Sequence, residues 1–161
     1  NYRVAYGLHA STGILFNHES PLRPERFVTK KIIAAAVRIA RGERWRLTLG
    51  NVAIKRDWGW APEYVDAMWR ILQQDTGSDF VIATGESRRL DEFAAAAFEQ
   101  VGLDWREHTD LSDALRRPSD LAEGLGDASK AREVLGWTAT YTMRDVVKAM
   151  VEAEWARADS R

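Results

Sequence analysis

The chain has 161 residues, 45% hydrophobic and 29% charged, which is enough for one globular domain with a real core and too apolar for a disordered segment. Its 23 Lys and Arg offset 24 Asp and Glu to a net charge of −1, which argues against a general attraction to nucleic acid or acidic membrane and makes any anion site local. The absence of cysteine rules out a disulfide framework and a thiolate metal site. No apolar run approaches the ~20 residues of a membrane helix and no signal peptide is visible, a pattern compatible with the cytoplasm.

Asn1, Tyr2 and Arg3 read as the end of a helix closed at Gly7, and a first residue other than Met reads as a piece of a longer protein. Gly13 to Phe16 reads as a buried strand that breaks into Asn17-His18-Glu19-Ser20-Pro21-Leu22-Arg23. Phe27 to Arg41 has Val28, Ile32, Ile33, Val37 and Ala40 at helical spacing. Trp45, Leu47 and Leu49 alternate with polar residues as a half-buried strand. Residues 52–61 read as a polar loop, and Pro62 opens a helix with Val65, Met68, Trp69 and Leu72 on its apolar face.

Asp79 to Thr84 is a short apolar strand ended by Gly85. Leu90 to Gln100 is a helix with Phe93, Ala97 and Phe98 inward. Leu103 and Trp105 suggest a short edge strand, and residues 109–126 are loop-rich. Asp127 suits the cap of a short helix ending at Gly136. Thr142 with Asp145 opens a last helix in the manner of a capping box, with Val146, Val147, Met150 and Val151 inward. Alternating strand and helix signals joined by short linkers argue an α/β architecture in a single unit, residues 1–161.

Three polar clusters carry the candidate chemistry, each after a strand or before a helix, where α/β folds hold ligands. In the first, Asn17, His18 and Arg23 are either turn residues satisfying their own backbone or ligand donors. Arg23, Arg26, Lys30 and Lys31 cluster at a helix start, where the macrodipole disfavours cations, and a bound anion would remove the conflict. In the second, Arg56 suits bidentate phosphate contact with Asp57 as its orienter, or the two form a solvated pair beside core tryptophans. In the third, Arg116 and Arg117 before Pro118 are surface charge or part of a pyrophosphate clamp.

The other features read as structural. His9, His18 and His108 lack metal-ligand spacing. Trp45, Trp69, Trp105 and Trp155 fall on inward positions, as core rather than base-stacking residues. There is no glycine-rich phosphate loop, and no Ser-His-Asp order stands in a fitting context.

The runs GILFNHESP, FVTKK, LGNVAIKRDWGWAPEYVDAMWRILQQD, FVIATGE, RRPSD and DASKAREVLGW together resemble the GDP-mannose 4,6-dehydratases of the extended short-chain dehydrogenase/reductase superfamily. The resemblance covers the whole chain. It implies the C-terminal part of a Rossmann-type NAD(P)-binding fold plus the smaller substrate-binding domain, the two intermixed here. It implies that Asn17, Val28, Lys31, Arg56, Arg117 and Asp120 contact GDP-mannose, and that His18 and Arg23 contact NADP.

Asp120 stands where the family usually has Glu beside the guanine. Lys30 stands for a common Arg, Trp60 for a common His, and Arg89 for a small helix-capping residue that Ser87 offsets. The family's chemistry takes a hydride from C4 of the mannose onto NADP, eliminates water across C5 and C6, and returns the hydride to C6.

The family's glycine-rich loop, its Ser/Thr and Glu catalysts and its Tyr-x-x-x-Lys pair precede the position of Asn1. The expectation is therefore no catalytic residue in this chain, a substrate-binding half that is inert alone, and a homo-oligomer when full length. Two rival readings are a non-catalytic sugar-nucleotide-binding module and a related GDP-sugar reductase or epimerase.

Overall fold

Short parallel strand pairs organise the molecule, a computed structural model that describes residues 1–115 and 119–159. A one-turn helix α1 (Tyr2–Tyr6) leads through Gly7 to β1 (Thr12–Leu15) and β2 (Asn17–Glu19). Helix α2 (Val28–Ala40), β3 (Leu47–Leu49), β4 (Lys55–Trp60) and α3 (Ala61–Leu72) follow. Next come β5 (Asp79–Ile82), β6 (Ser87–Arg89), α4 (Leu90–Glu99) and β7 (Thr109–Leu111), and α5 (Ser129–Leu135) and α6 (Met143–Asp159) close the chain.

β1 runs parallel to β5, β2 to β4 and β3 to β7, while β6 lies antiparallel on the first half of β4. Parallel neighbours need crossover connections, and the intervening helices supply them. The result is the α/β architecture that alternating strand and helix signals predict.

Two apolar clusters hold these pieces. The larger joins α2, α4 and α6 through Ile32, Ile33, Val37, Phe93, Phe98, Val146 and Met150, with Trp58 of β4 against Phe93. The smaller gathers Tyr64, Ala67, Ile71, Phe80, Ile82, Leu135 and Trp137 beneath β1 and β5. The expected helix ends occur. Asp127 accepts from the Ser129 N–H ahead of α5. The Asp145 carboxylate accepts from the Thr142 N–H while the Thr142 hydroxyl accepts from the Asp145 N–H.

Several local expectations are corrected. Residues 55–60 are a strand rather than loop, because β2 and β6 pair with both sides of β4 and its charged residues find partners at the strand ends. β1 is not buried: Ile14 is 51% exposed, since β5 pairs with it on one side only. Helix α3 turns Tyr64, Ala67 and Ile71 inward and leaves Val65, Met68, Trp69 and Leu72 exposed. Its sequence is apolar on two faces, and the described residues cover one of them.

Of the tryptophans read as core, Trp105 alone is buried. Trp45 and Trp155 lie half open under the guanidinium groups of Arg38 and Arg41, which shield their faces. The Leu103–Trp105 strand is instead a 3₁₀ turn over Trp105–His108. Asp104 initiates it by accepting from the Arg106 N–H, and extended pairing resumes only at Thr109. Ser87 does not cap α4: its buried hydroxyl has no partner among the described residues, and the Arg89 N–H donates to Glu92 at 2.7 Å.

Candidate functional site

The first polar cluster sits where β1 gives way to β2 and then to α2. Asn17 pairs with Trp58 across the β2–β4 ladder, His18 with Gly59 and Glu19 with Trp60. The ladder fixes the backbone of the three residues; Asn17 is exposed at the start of the strand and Glu19 is buried at its end. The Asn17 side chain has no partner among the described residues.

Glu19 accepts from the Thr29 hydroxyl at 2.8 Å and lies 3.2 Å from Arg23 Nε. The Arg23 guanidinium is stacked 3.8 Å over the Phe27 ring, and its Nε is buried without hydrogen-bond geometry to any described group. Arg23 is therefore held by a carboxylate and by an aromatic face, and its two terminal nitrogens have no partner among the described residues.

Burial pushes the Glu19 carboxyl up from its ordinary value, against the lowering effects of Thr29 and Arg23. A raised folded-state value means that this group's stabilisation is fully present below its unfolded value of 4.5 and is lost as pH rises through the folded value. Glu19→Gln is accordingly expected to gain stability relative to the native chain on going from acid to neutral pH. Urea denaturation of both proteins at the two pH values checks this; a difference that is constant, or reversed in sign, counts against it.

The cations at the start of α2 are largely neutralised from within, so that helix does not require the bound anion its sequence suggests. Lys30 is buried and donates to Glu154 of α6 at 2.6 Å and to the Pro21 carbonyl at 3.2 Å. Lys31 donates to the Thr48 carbonyl of β3 at 2.7 Å. Val28, at the first position of α2, is half-buried against the larger core.

The second cluster is built by β4. Arg56 Nη1 donates to the Lys55 carbonyl and to the Leu121 carbonyl, both at 2.7 Å. The segment carrying Leu121 is held against the strand. The Lys55 N–H donates to the Ala122 carbonyl and the Gly124 N–H to the Lys55 carbonyl, which sets Asp120 next to the residue that Arg56 grips. Nε and Nη2 of Arg56 have no partner among the described residues.

Asp57 is not the orienter of Arg56. It is buried and accepts from the Thr84 N–H at 3.0 Å, the Thr84 hydroxyl at 2.8 Å and the Gly85 N–H at 2.9 Å, which ties β4 to the end of β5. Trp58 packs in the core and Trp60 stacks on Tyr141 at 5.4 Å. Of the third cluster, Arg116 and Arg117 lie outside the described residues. Leu115 before them abuts Gly50, where an added Cβ would meet the Leu115 carbonyl at 2.7 Å.

Asn17, His18 and Arg23 thus share one connection, and Arg56 on the neighbouring strand β4 grips the segment that follows Asp120. Lys31 is joined to β3 instead. Gly126 closes the region from above: a Cβ there would fall 2.3 Å from Ala83 and 3.0 Å from the Phe16 ring, so this segment passes directly over the ends of β1 and β5. A cleft of about 320 Å³ opens beside it, lined by Thr84, Gly85, Asp127, Arg132 and Trp137. Another of about 420 Å³ is lined by Trp60, Glu63, Arg70 and Tyr141. Neither is lined by Arg56, Lys31 or Asp120. No group of three metal-ligating side chains exists among the described residues, and none of their helices is long and apolar enough to cross a membrane.

Sequence reasoning did not single out Glu19, Tyr64 or Glu154 for a role, and it gave Asp57 the wrong partner. Glu19 stood in the polar break after the predicted strand, and only the pairing of residues 17–19 with β4 shows it to be buried. Nothing local marks Glu154, which lies 124 residues from its Lys30 partner.

Comparison with known proteins identifies the setting. The sequence model described as GDP-mannose 4,6 dehydratase matches residues 1–150. GDP-mannose 4,6 dehydratase 1 of Arabidopsis thaliana is 49% identical over 154 residues, covering 96% of this chain and 43% of its own length. The GDP-mannose 4,6-dehydratase of Sinorhizobium fredii (strain HH103) is 45% identical over 171 residues, covering 96% of this chain and 49% of its own. The chain thus spans somewhat under half the length of these relatives.

Among solved structures, RMD from Pseudomonas aeruginosa complexed with NADPH superposes with a TM-score of 0.87 at 16% identity, over 97% of this chain and 52% of that one. The dTDP-glucose 4,6-dehydratase of Bacillus anthracis in complex with NAD gives 0.84 at 14% identity, over 98% and 48%. At such identities the likeness establishes the fold, which is that of the Rossmann-type extended short-chain dehydrogenases/reductases. With the family's sequence model matching from Asn1 through Met150 and the strand-end clusters built as described, the chain belongs to the GDP-mannose 4,6 dehydratase family.

Proposed function

We propose that this chain is the sugar-nucleotide-binding half of a GDP-mannose 4,6-dehydratase that uses NADP as a recycled cofactor. The observation that carries the reading is Arg56. It is fixed on β4 by two carbonyls, keeps two guanidinium nitrogens without a partner among the described residues, and grips the segment that follows Asp120. In this reading Arg56 and Arg117 clamp the diphosphate, and the Asp120 carboxylate accepts from the guanine N1–H and N2–H. Asn17 contacts the sugar, and Val28 and Lys31 line the path of the nucleotide.

His18 and Arg23 fit the cofactor's polar groups, since among the described residues Arg23 has an unsatisfied buried Nε and unpaired terminal nitrogens on a rigid support. NADP supplies the hydride acceptor for C4 oxidation and the donor for C6 reduction. The residues of this chain bind and orient.

Residues 1–161 form one α/β unit in which the Rossmann remainder and the sugar-nucleotide subdomain are intermixed. The exposed apolar face of α3 and the unpaired edge of β1 are the surfaces that a second half of the sheet would cover, and parallel strands are normally covered on both faces. A ligand held between two such halves needs no closed pocket in either. The full-length protein is a cytoplasmic homo-oligomer in this reading.

Calorimetric titration tests it. GDP-mannose and GDP are expected to bind the chain, and UDP-glucose is not. Arg56→Ala is expected to weaken GDP-mannose roughly tenfold or more, the loss of a charge-assisted pair. Equal affinity for the guanine and uracil nucleotides, or an unaffected Arg56→Ala variant, would sink the proposal. The chain by itself is expected to leave GDP-mannose unconverted when supplied with NADP. Product formation by it would show that catalytic groups lie among these residues after all.

A further inference from the structure

His18, Tyr64 and Trp137 come from three separate segments and form one aromatic column. The His18 ring stacks on Tyr64 with centroids 4.7 Å apart, and Trp137 meets Tyr64 edge-on at 5.8 Å. Trp137 is itself pinned by its indole N–H, which donates to the Glu63 carbonyl at 2.9 Å. Tyr64 is fully buried and its hydroxyl has no hydrogen-bond partner among the described residues, so the ring is kept there for its face and edges rather than for its polar tip. Burial, with the Asp57 and Glu63 charges nearby, pushes that hydroxyl's pKa up and keeps it protonated.

The column exists because residue 59 is glycine. A Cβ at Gly59 would lie 2.3 Å from the Tyr64 ring, and Gly59 is the ladder partner of His18.

The other contact of the imidazole sets its protonation pattern. His18 Nδ1 lies 2.8 Å from the Phe16 carbonyl oxygen, and a carbonyl only accepts, so Nδ1 carries the hydrogen and donates. In the uncharged ring this leaves Nε2 with a lone pair and no proton. Nε2 has no partner among the described residues.

We infer that Tyr64 and Gly59 are positioning residues that lock His18 as its Nδ1–H tautomer, so that Nε2 is presented as a hydrogen-bond acceptor to a hydroxyl or carboxamide N–H of the nicotinamide riboside. The cofactor half of this inference rests on the proposed NADP-binding reading; the tautomer half rests on the Phe16 contact and the stack alone. The ladder fixes where His18 starts, the Phe16 carbonyl fixes which nitrogen is used inward, and the Tyr64 face fixes the plane in which the other one points. A ring free to rotate would offer a donor as often as an acceptor, and it would lose selectivity for ligand donors.

The test is a long-range ¹⁵N–¹H correlation spectrum of the chain at a pH where the ring is uncharged, read before and after addition of NADP⁺. The expected pattern is a single Nδ1–H tautomer for His18, with NADP⁺ shifting the Nε2 resonance. Tyr64→Phe keeps the ring face and is expected to keep the tautomer. Tyr64→Leu removes the face and is expected to give mixed tautomers and about tenfold weaker NADP⁺ binding, the equivalent of one hydrogen bond.

An Nε2–H tautomer or an averaged ring in the unsubstituted chain overturns the inference, and this reading does not depend on any variant folding. A pure Nδ1–H tautomer in folded Tyr64→Leu overturns the role of Tyr64. A correct tautomer whose Nε2 resonance does not respond to NADP⁺ overturns the cofactor reading and, with it, the acceptor role.

Discussion

Glu154→Ala is expected to destabilise the chain by about 3–5 kcal/mol, the loss typical when one partner of a buried ion pair is removed. Lys30 is 2% exposed and would keep its ammonium in the larger core with only the Pro21 carbonyl beside it. The pair crosses from α2 to α6, and Arg157 also donates to Glu154, but Arg157 is exposed and keeps Glu25 nearby, so the buried Lys30 bears the loss.

Equilibrium urea denaturation measures the effect. The double variant Lys30→Met with Glu154→Leu is the decisive companion, because replacing both charges by apolar groups of similar size is expected to recover most of the loss. A Glu154→Ala variant within about 1 kcal/mol of the parent would mean that water reaches Lys30 and that the pair is not a structural tie.

The pH response of this pair runs opposite to that of Glu19. Burial would raise the Glu154 carboxyl, but the hydrogen bonds from Lys30 and Arg157 outweigh it and hold the group below its ordinary value. A depressed folded-state value gives stability that is present above the unfolded value of 4.5 and is lost as pH falls through the folded one. Acid therefore weakens the α2–α6 tie while it relieves the buried charge of Glu19. Both carboxylates bear on the start of α2: Glu19 accepts from Thr29, and Glu154 reaches across from α6 to Lys30.

Asp57→Ala carries the second large effect, roughly 3 kcal/mol or more. It removes a buried charged acceptor from two backbone N–H groups and one hydroxyl; an orphaned buried donor costs about 1–3 kcal/mol, and since Thr84 is half-buried while Gly85 is exposed, the two Thr84 groups carry most of the loss. The loss is mechanical as well as energetic. Asp57 is the contact that fastens the three-stranded β2–β4–β6 sheet to the turn after β5, and its neighbour Arg56 is the proposed diphosphate ligand.

The variant is thus expected to unfold at lower urea and, where still folded, to bind GDP-mannose more weakly. Asp57→Asn retains one acceptor oxygen and is expected to fall between the two. Hydrogen exchange at the Thr84 and Gly85 amides gives a direct reading. Exchange as slow in Asp57→Ala as in the parent would show that other groups satisfy those amides and would remove the argument.

Helix positions were largely legible from the sequence because their causes are local. The Asp127 and Thr142–Asp145 caps, and the apolar periodicity of α2, α4 and α6, are written within a few residues of where they act. The strand-end clusters around Asn17 and Arg56 were legible as polar interruptions in an otherwise patterned chain, and the motif runs identified the family.

Tertiary structure alone decided what depends on partners far along the chain. Residues 55–60 are a strand because β2 and β6 flank them. Lys30 is buried because Glu154 meets it, and Asp57 serves Thr84 and Gly85 rather than Arg56. The side of α3 that faces inward, and the nitrogen of His18 that faces outward, were settled in the same way. Local sequence states which groups need a partner, but it does not state which group will arrive, since hydrogen bonding and burial act between whatever the fold brings within a few ångströms.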